Sequence, residues 1–280
     1  MRRMKLVIAY DGSKFTGWQQ QPGMRTVEGE LWRGISELTG ESISLIGASR
    51  TDSGVHADGN VAVFDTKSPI PPERFFLALN RFLPDDIRAV SSDACALSWH
   101  PRHVPAVKTY FYRIWNEKTE HPMHRLYAYH CHFELDIAAM RAAAARLVGT
   151  HDFTSFANPA SQVLLSGGSA VREIYEISVL TGRDAYLAGC EDASMEACQT
   201  ANAFVAAADG KKFHGMMTIR VRGNGFLYHM VRILAGTLIR AGMGQYSPAD
   251  IDAMLLAKDR EKAGPTAPAK GLCLHEIRYL

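Results

Sequence analysis

Residues 47 to 57 read Gly-Ala-Ser-Arg-Thr-Asp-Ser-Gly-Val-His-Ala, and no other stretch of the chain restricts the fold so closely. The apolar pattern predicts a strand from Ile43 to Ile46 entering this run and another from Asn60 to Phe64 leaving it. A segment so rich in small residues between two strands must be a tight connection. It carries one carboxylate, Asp52, with Arg50 two places before it and His56 four after. Small neighbours let a bulky planar molecule reach Asp52, and rigid elements on both sides suit a catalytic group. An Asx-turn would use such an aspartate structurally, but it leaves the arginine and the histidine unexplained.

Around this loop, strand and helix patterns alternate. Met4 to Tyr10 alternates as a strand, and Thr26 can cap a helix from Val27 whose apolar residues Val27, Leu31, Ile35 and Leu38 keep helical spacing before Gly40. Pro71-Pro72 opens a second helix through Phe82, ended by Pro84, and another strand follows. The second half repeats this alternation, with a strand from Val107 to Trp115, a helix capped by Asp136 and running through Val148 to Gly149, and a strand from Arg172 to Leu180. Residues 181–212, rich in Ala, Gly and acids, read as an insertion or a variable connection, with a surface element expected there. A strand from Met216 to Arg222, a turn at Gly223-Asn224-Gly225 and a long helix from about Leu227 to Ala241 come next. Ser247-Pro248 starts a short helix, and Leu272 to Tyr279 closes as a strand. Mixed strands and helices in this order indicate an α+β protein.

Charge matters through its placement. The chain holds 31 Lys and Arg against 29 Asp and Glu, so its sum points to no partner. Residues 94 to 116 nevertheless carry Arg102, Lys108 and Arg113 without an acid, and residues 210 to 249 carry six basic residues without one. Both stretches contain aromatics, and a polyanion suits them, because bases stack while phosphates pair. The five cysteines are scattered singly, which favours neither a disulfide framework nor a zinc site. His130-Cys131-His132 is a poor chelate, since neighbours on a strand point to opposite faces. No apolar run nears the roughly 20 residues of a membrane span, and the start leads into a strand instead of a signal peptide, so a cytoplasmic protein is expected.

Asp52-Ser53-Gly54 also matches the signature of aspartic proteases, which share a proton between two carboxylates, and two copies of this chain could supply the pair. Arg50 and Thr51 stand where that motif has apolar strand residues, and Arg50 opposes the protonated carboxyl the mechanism needs. The whole run instead resembles the active-site motif of the TruA family of tRNA pseudouridine synthases, from which it departs at Ser49 and Ser53, both small. The resemblance continues through Tyr10-Asp11-Gly12 with Phe15, Gly17-Trp18-Gln19, Leu79-Asn80, His100-Pro101-Arg102, Lys108-Thr109-Tyr110-Phe111-Tyr112, Gly149 to Phe153, Gly223 to Arg232 and Gly264 to Pro268.

That resemblance implies two similar mixed α/β halves joined through their antiparallel sheets, residues 1–106 and 107–280, with the active site in a cleft between them. It implies an isomerase that converts uridine to pseudouridine at positions 38, 39 and 40 of the tRNA anticodon stem-loop, acts as a homodimer and needs no cofactor or metal. Asp52 is then the nucleophile, attacking either the ribose or the uracil ring. Arg232 matches the arginine that pairs with it, a fixed cation that keeps the carboxylate ionised in a cleft without water. Extruding a base from its stack costs a few kcal/mol, and an aromatic platform returns about 1 to 3 kcal/mol per base. Tyr110 matches the tyrosine that stacks on the base, with proton transfer as a second role open to it, Arg50 the residue that helps extrude the nucleotide or fills its place, and Leu272 an apolar wall. Arg102, His103 and Lys108 are candidates for phosphate contacts. A catalytically silent RNA-binding module on the same scaffold is the alternative, against which stands the intact set of Arg50, Asp52, Tyr110 and Arg232.

Overall fold

A computed structural model describes residues 1–187 and 212–280 of the chain. It divides into two compact units, Met1–Lys108 with Cys273–Leu280, and Thr109–Leu272.

In the first unit, strand β1 (Arg2–Tyr10) buries Met4, Leu6, Ile8 and Tyr10 on one face by simple alternation. Helix α1 (Val27–Thr39) begins where Thr26 accepts the Gly29 N–H and ends at Gly40, whose φ of 71° is the left-handed stop expected of glycine. Strand β2 (Ile46–Gly47), strand β3 (His56–Thr66), helix α2 (Pro72–Leu79) and strand β4 (Ile87–Cys95) complete the local run. β1 lies antiparallel between β4 and β3, with Ile8 opposite Asn60. The other edge of β3 is shared. β2 pairs antiparallel at Ala62 and Val63, and the last strand of the chain pairs parallel at His56 and Ala57.

That distant partner explains one departure from the expected boundaries, and local side-chain bonds explain two more. β3 starts at His56 because Cys273 and Leu274 supply its ladder, so the connection shortens to residues 48–55. β2 is only two residues long: Trp32 Nε1 donates to the Ile43 carbonyl at the start of the expected strand, and the Thr66 hydroxyl to the Glu41 carboxylate just before it. Helix α2 stops at Leu79 because Asn80 turns its side chain to β4, exchanging bonds of 2.9 and 2.8 Å with the Ala89 backbone.

The second unit contains most of strand β5 (Ala106–Asn116), then β6 (Tyr129–Cys131), β7 (Leu135–Asp136), helix α3 (Ile137–Ala145), β8 (Gly149–Asp152), α4 (Gln162–Leu165), β9 (Val171–Thr181), α5 (Gly182–Leu187), β10 (Lys212–Phe213), β11 (Gly215–Gly223), α6 (Met230–Gly242) and α7 (Pro248–Ala257). Strand β12 (Leu272–Tyr279) returns to the first unit. The sheet of the second unit runs β5, β11, β9, β8, antiparallel from β11 to β8. Asp136 caps α3 as expected, but the helix ends at Ala145, and Gly149 opens β8 opposite Ile174 instead of closing the helix. α6 starts at Met230 because His229 is held at a φ of 62° while Asn158 bonds both its ring and the Tyr228 carbonyl.

Of the presumed insertion at 181–212, residues 188–211 lie outside the described residues. Its described flank α5 packs inward, with Ala185 buried and its carbonyl accepting from Thr218. Among the described residues no group of His, Cys, Asp and Glu is placed to hold a metal ion, and no helix is long and apolar enough to cross a membrane.

Candidate active site

The loop at 48–55 is anchored by backbone on both sides of Asp52. Ala48 N donates to the Val61 carbonyl at 2.7 Å, Trp18 N to the Thr51 carbonyl at 3.0 Å, and Val55 N to the Asp52 carbonyl at 3.2 Å. Gly54, at a φ of 78°, turns the chain so that its N–H and the Ser53 hydroxyl both reach the Phe15 carbonyl at 3.3 Å. Two earlier pieces of the sequence thus converge here. A Cβ on Gly12 would stand 2.0 Å from the Val55 carbonyl oxygen, and one on Gly17 would stand 2.8 Å from that of Thr51. Thr51 and Val55 are buried, Asp52 is half-buried, and Arg50 is exposed.

Under the loop lies a buried polar cluster. The Tyr10 hydroxyl is 2.7 Å from the Thr51 hydroxyl, and Asn60 Nδ2 donates to Tyr10 at 3.3 Å and to the Ser49 carbonyl at 3.0 Å. His56 Nδ1 stands 3.1 Å from Gly12 N and 3.3 Å from Asp11 Oδ1. One nitrogen cannot serve both as acceptor and donor. The Gly12 N–H can only donate, so Nδ1 accepts, and Asp11 Oδ1 is served by Ser13 N and Oγ at 2.9 and 2.6 Å.

Two of the three expected phosphate contacts meet the same loop. Arg102 Nε donates to the Gly47 carbonyl at 2.7 Å, and Lys108 Nζ lies 3.3 Å from the Ala48 carbonyl and 3.5 Å from Ser49 Oγ. Burial, and after it the nearby charge of Arg50, lower the Arg102 pKa from the ordinary arginine value. His103 stacks on His100 with ring centroids 3.9 Å apart.

In the second unit, Tyr110 on β5 is 7% exposed and meets Phe226 edge to face at 5.2 Å. Tyr112 is fully buried and donates to the Pro268 carbonyl at 2.9 Å, and burial raises its pKa well above the ordinary phenol value. Arg232, in the first turn of α6, donates through Nε to the Ala267 carbonyl at 2.8 Å while Ala267 N returns a bond to the Arg232 carbonyl at 3.1 Å. The 264–268 segment lies close along α6: a Cβ on Gly236 would be 1.9 Å from the Pro265 oxygen, and Gly264 N donates to Thr237. Leu272 follows this segment and is buried.

The acid-free run at 210–249 is less bare than it reads. Arg220 and Arg222 both pair with Glu176 of the neighbouring β9, at 2.6 and 3.3 Å. Tyr10, Asn60 and the Thr51 hydroxyl are not legible as a group in the sequence, where only the Tyr10-Asp11-Gly12 motif hints at them.

Residues 6–103 and 143–280 match the family model described as tRNA pseudouridine synthase, which places this mixed α/β protein among the isomerases that rearrange a uridine within RNA. The likeness to individual enzymes is as extensive. Proteins named tRNA pseudouridine synthase A are 40% identical in Brevibacillus brevis, over 100% of both chains, and 41% identical in Bacillus subtilis, over 99% of both. That of Clostridium acetobutylicum is 39% identical over 100% of both. The chain belongs to the tRNA pseudouridine synthase family.

Proposed function

We propose that the protein isomerises uridines 38, 39 and 40 of the tRNA anticodon stem-loop, with Asp52 as the nucleophile. The bond between ribose and N1 breaks, the uracil turns, and ribose rejoins at C5. The C5 proton leaves and N1 gains one, so the reaction balances without a donor or an oxidant. The observation that supports the assignment is the loop itself: backbone bonds pin residues 51–55, yet Asp52 stays half-buried between the buried anchors Thr51 and Val55, next to an exposed Ser53. Preorganising a charged group in this way is how a protein avoids reorganisation during reaction.

The remaining roles follow the family motif, residue by residue. Tyr110 stacks on the extruded base, Leu272 forms an apolar wall, Arg50 helps extrude the nucleotide, and Arg232 holds Asp52 ionised in a cleft between two similar halves whose antiparallel sheets join. Arg102, Lys108 and His103 contact phosphates. The proximity of Arg50 and Arg102 beside the loop supports an anionic partner there. The working form is a cytoplasmic homodimer spanning the RNA.

Purified protein incubated with uridine-labelled tRNA and no added cofactor should yield pseudouridine at these three positions, and Asp52→Asn should bind tRNA without converting it. Turnover retained in Asp52→Asn would refute the nucleophile. Binding without conversion by the wild type would favour a silent RNA-binding module, and peptide cleavage at acid pH the protease.

A further inference from the structure

We infer that Tyr10, Asn60 and the hydroxyl of Thr51 form a positioning network for Asp52, an inference resting on the reading of Asp52 as the reacting carboxylate. Asn60 is fully buried, and Tyr10 and Thr51 are 5% and 8% exposed. Polar groups are costly in such a place unless bonded, and Phe, Leu and Val would fill the same volume without that cost. Nor do the strands need them, because β1 and β3 are already tied by their backbone ladder.

The bonds have a direction. Asn60 Oδ1 accepts the Val61 N–H at 2.9 Å, which fixes the amide orientation and turns Nδ2 toward the Ser49 carbonyl and the Tyr10 oxygen. With that bond accepted, Tyr10 can offer its proton to Thr51 Oγ1. The network therefore grips the loop at Ser49 and at Thr51, on either side of Arg50 and immediately before Asp52.

An irregularity in the sheet aims it. Ile8 faces Asn60 and Tyr10 faces Ala57, so β3 spends three residues where β1 spends two. Such a bulge re-aims side chains, which is why bulges recur beside active sites. Gly59 sits inside it, where a Cβ would lie 2.6 Å from the His275 carbonyl oxygen, so the irregularity is built around a residue without a side chain.

Backbone bonds to Trp18 and Phe15 hold residues 51–54 from the opposite flank. Cutting the bond between Tyr10 and Thr51 frees the Thr51 side chain, the anchor next to Asp52, while the bonds at residues 47–49 and those to Trp18 and Phe15 remain. The carboxylate then loses its alignment while the RNA-binding surface stays, so the defect falls on the chemical step.

The test compares Tyr10→Phe, Thr51→Val, Thr51→Ser and the double variant Tyr10→Phe/Thr51→Val with wild type and Asp52→Asn, measuring melting, tRNA affinity at fixed salt and single-turnover conversion. Tyr10→Phe and Thr51→Val should each slow conversion about 10- to 100-fold, with tRNA affinity unchanged within about twofold. Thr51→Ser should recover most of the rate. The double variant should be little slower than either single one, because both cut the same chain of bonds. A wild-type rate in Tyr10→Phe overturns the network. So does a matching loss of tRNA affinity, a Thr51→Ser as slow as Thr51→Val, or a loss of cooperative melting in Tyr10→Phe. Turnover retained in Asp52→Asn overturns instead the reading on which the network rests.

Discussion

Gly12→Ala tests how firmly the Asp52 loop is seated. The added Cβ would run into the Val55 backbone, at 2.0 Å from its oxygen, 2.4 Å from its carbonyl carbon and 3.0 Å from its nitrogen. Real Cβ atoms essentially never come under 3.0 Å, so one backbone must move by about 1 Å. No rotamer change relieves the clash, because the obstructing atoms belong to the chain itself. On one side Gly12 N is bonded to His56; on the other Val55 N is bonded to the Asp52 carbonyl. Whichever yields, a bond beside the carboxylate is strained. Overpacking of about 1–3 kcal/mol and a lost hydrogen bond of about 1 kcal/mol suggest destabilisation of roughly 2–4 kcal/mol. A displacement of about 1 Å at the loop should slow conversion on the order of 100-fold.

Gly23→Ala is the matched control. Its φ of 71° strains any side chain, yet nothing stands within 4 Å of the new carbon. It should lose about 1–2 kcal/mol from backbone strain and keep the wild-type rate. Urea unfolding followed by tryptophan fluorescence reports chiefly on the first unit, which holds Trp18, Trp32 and Trp99 of the four tryptophans. Single-turnover conversion is measured beside it. If Gly12→Ala converts uridine at the wild-type rate, the close seating of Val55 does not position Asp52.

If Tyr110 acts through its ring, Tyr110→Phe should place the base as wild type does while Tyr110→Leu loses about 1–3 kcal/mol of stacking; equal activity in both, read by single-turnover kinetics, would make it a packing residue only. Arg232→Met should depress turnover far more than tRNA affinity, whereas a plain phosphate contact would weaken binding and reduce its salt dependence, so affinities at several salt concentrations decide between them. Hydrogen bonds from Arg25 hold the Asp86 carboxyl below its ordinary 3.8. Because its folded value is depressed, its contribution is present above that pH and is lost as pH falls through the folded value. Asp86→Asn should therefore cost about 1 kcal/mol or less at neutral pH, given the partial exposure of the pair, and should flatten the acid end of the stability curve. An acid limb unchanged in urea unfolding would assign that limb to other carboxylates.

Legibility in the sequence divides by the range of the interaction. Helix α1 is legible to the residue because its cap at Thr26, its apolar spacing and its stop at Gly40 all act within one turn. The start of β3 is not, since its first ladder partner arrives from Cys273, more than 200 residues on. Glu176 is as well hidden from the arginines it neutralises, and Asn158 from the helix start it delays. The site follows the same division. Asp52 stands out because the small residues around it are its neighbours in the chain, and those residues form the loop expected. The group beneath it lies 41 and 50 residues apart and exists only because two strands meet with one residue to spare. Chemistry is thus written locally, whereas alignment is a property of the register. A chain could keep the whole 47–57 run, lose Tyr10 or Asn60, and still read as the same enzyme. With the grip on Ser49 and Thr51 gone, it would bind the same RNA and turn it over slowly, so the motif alone measures identity and the register measures competence.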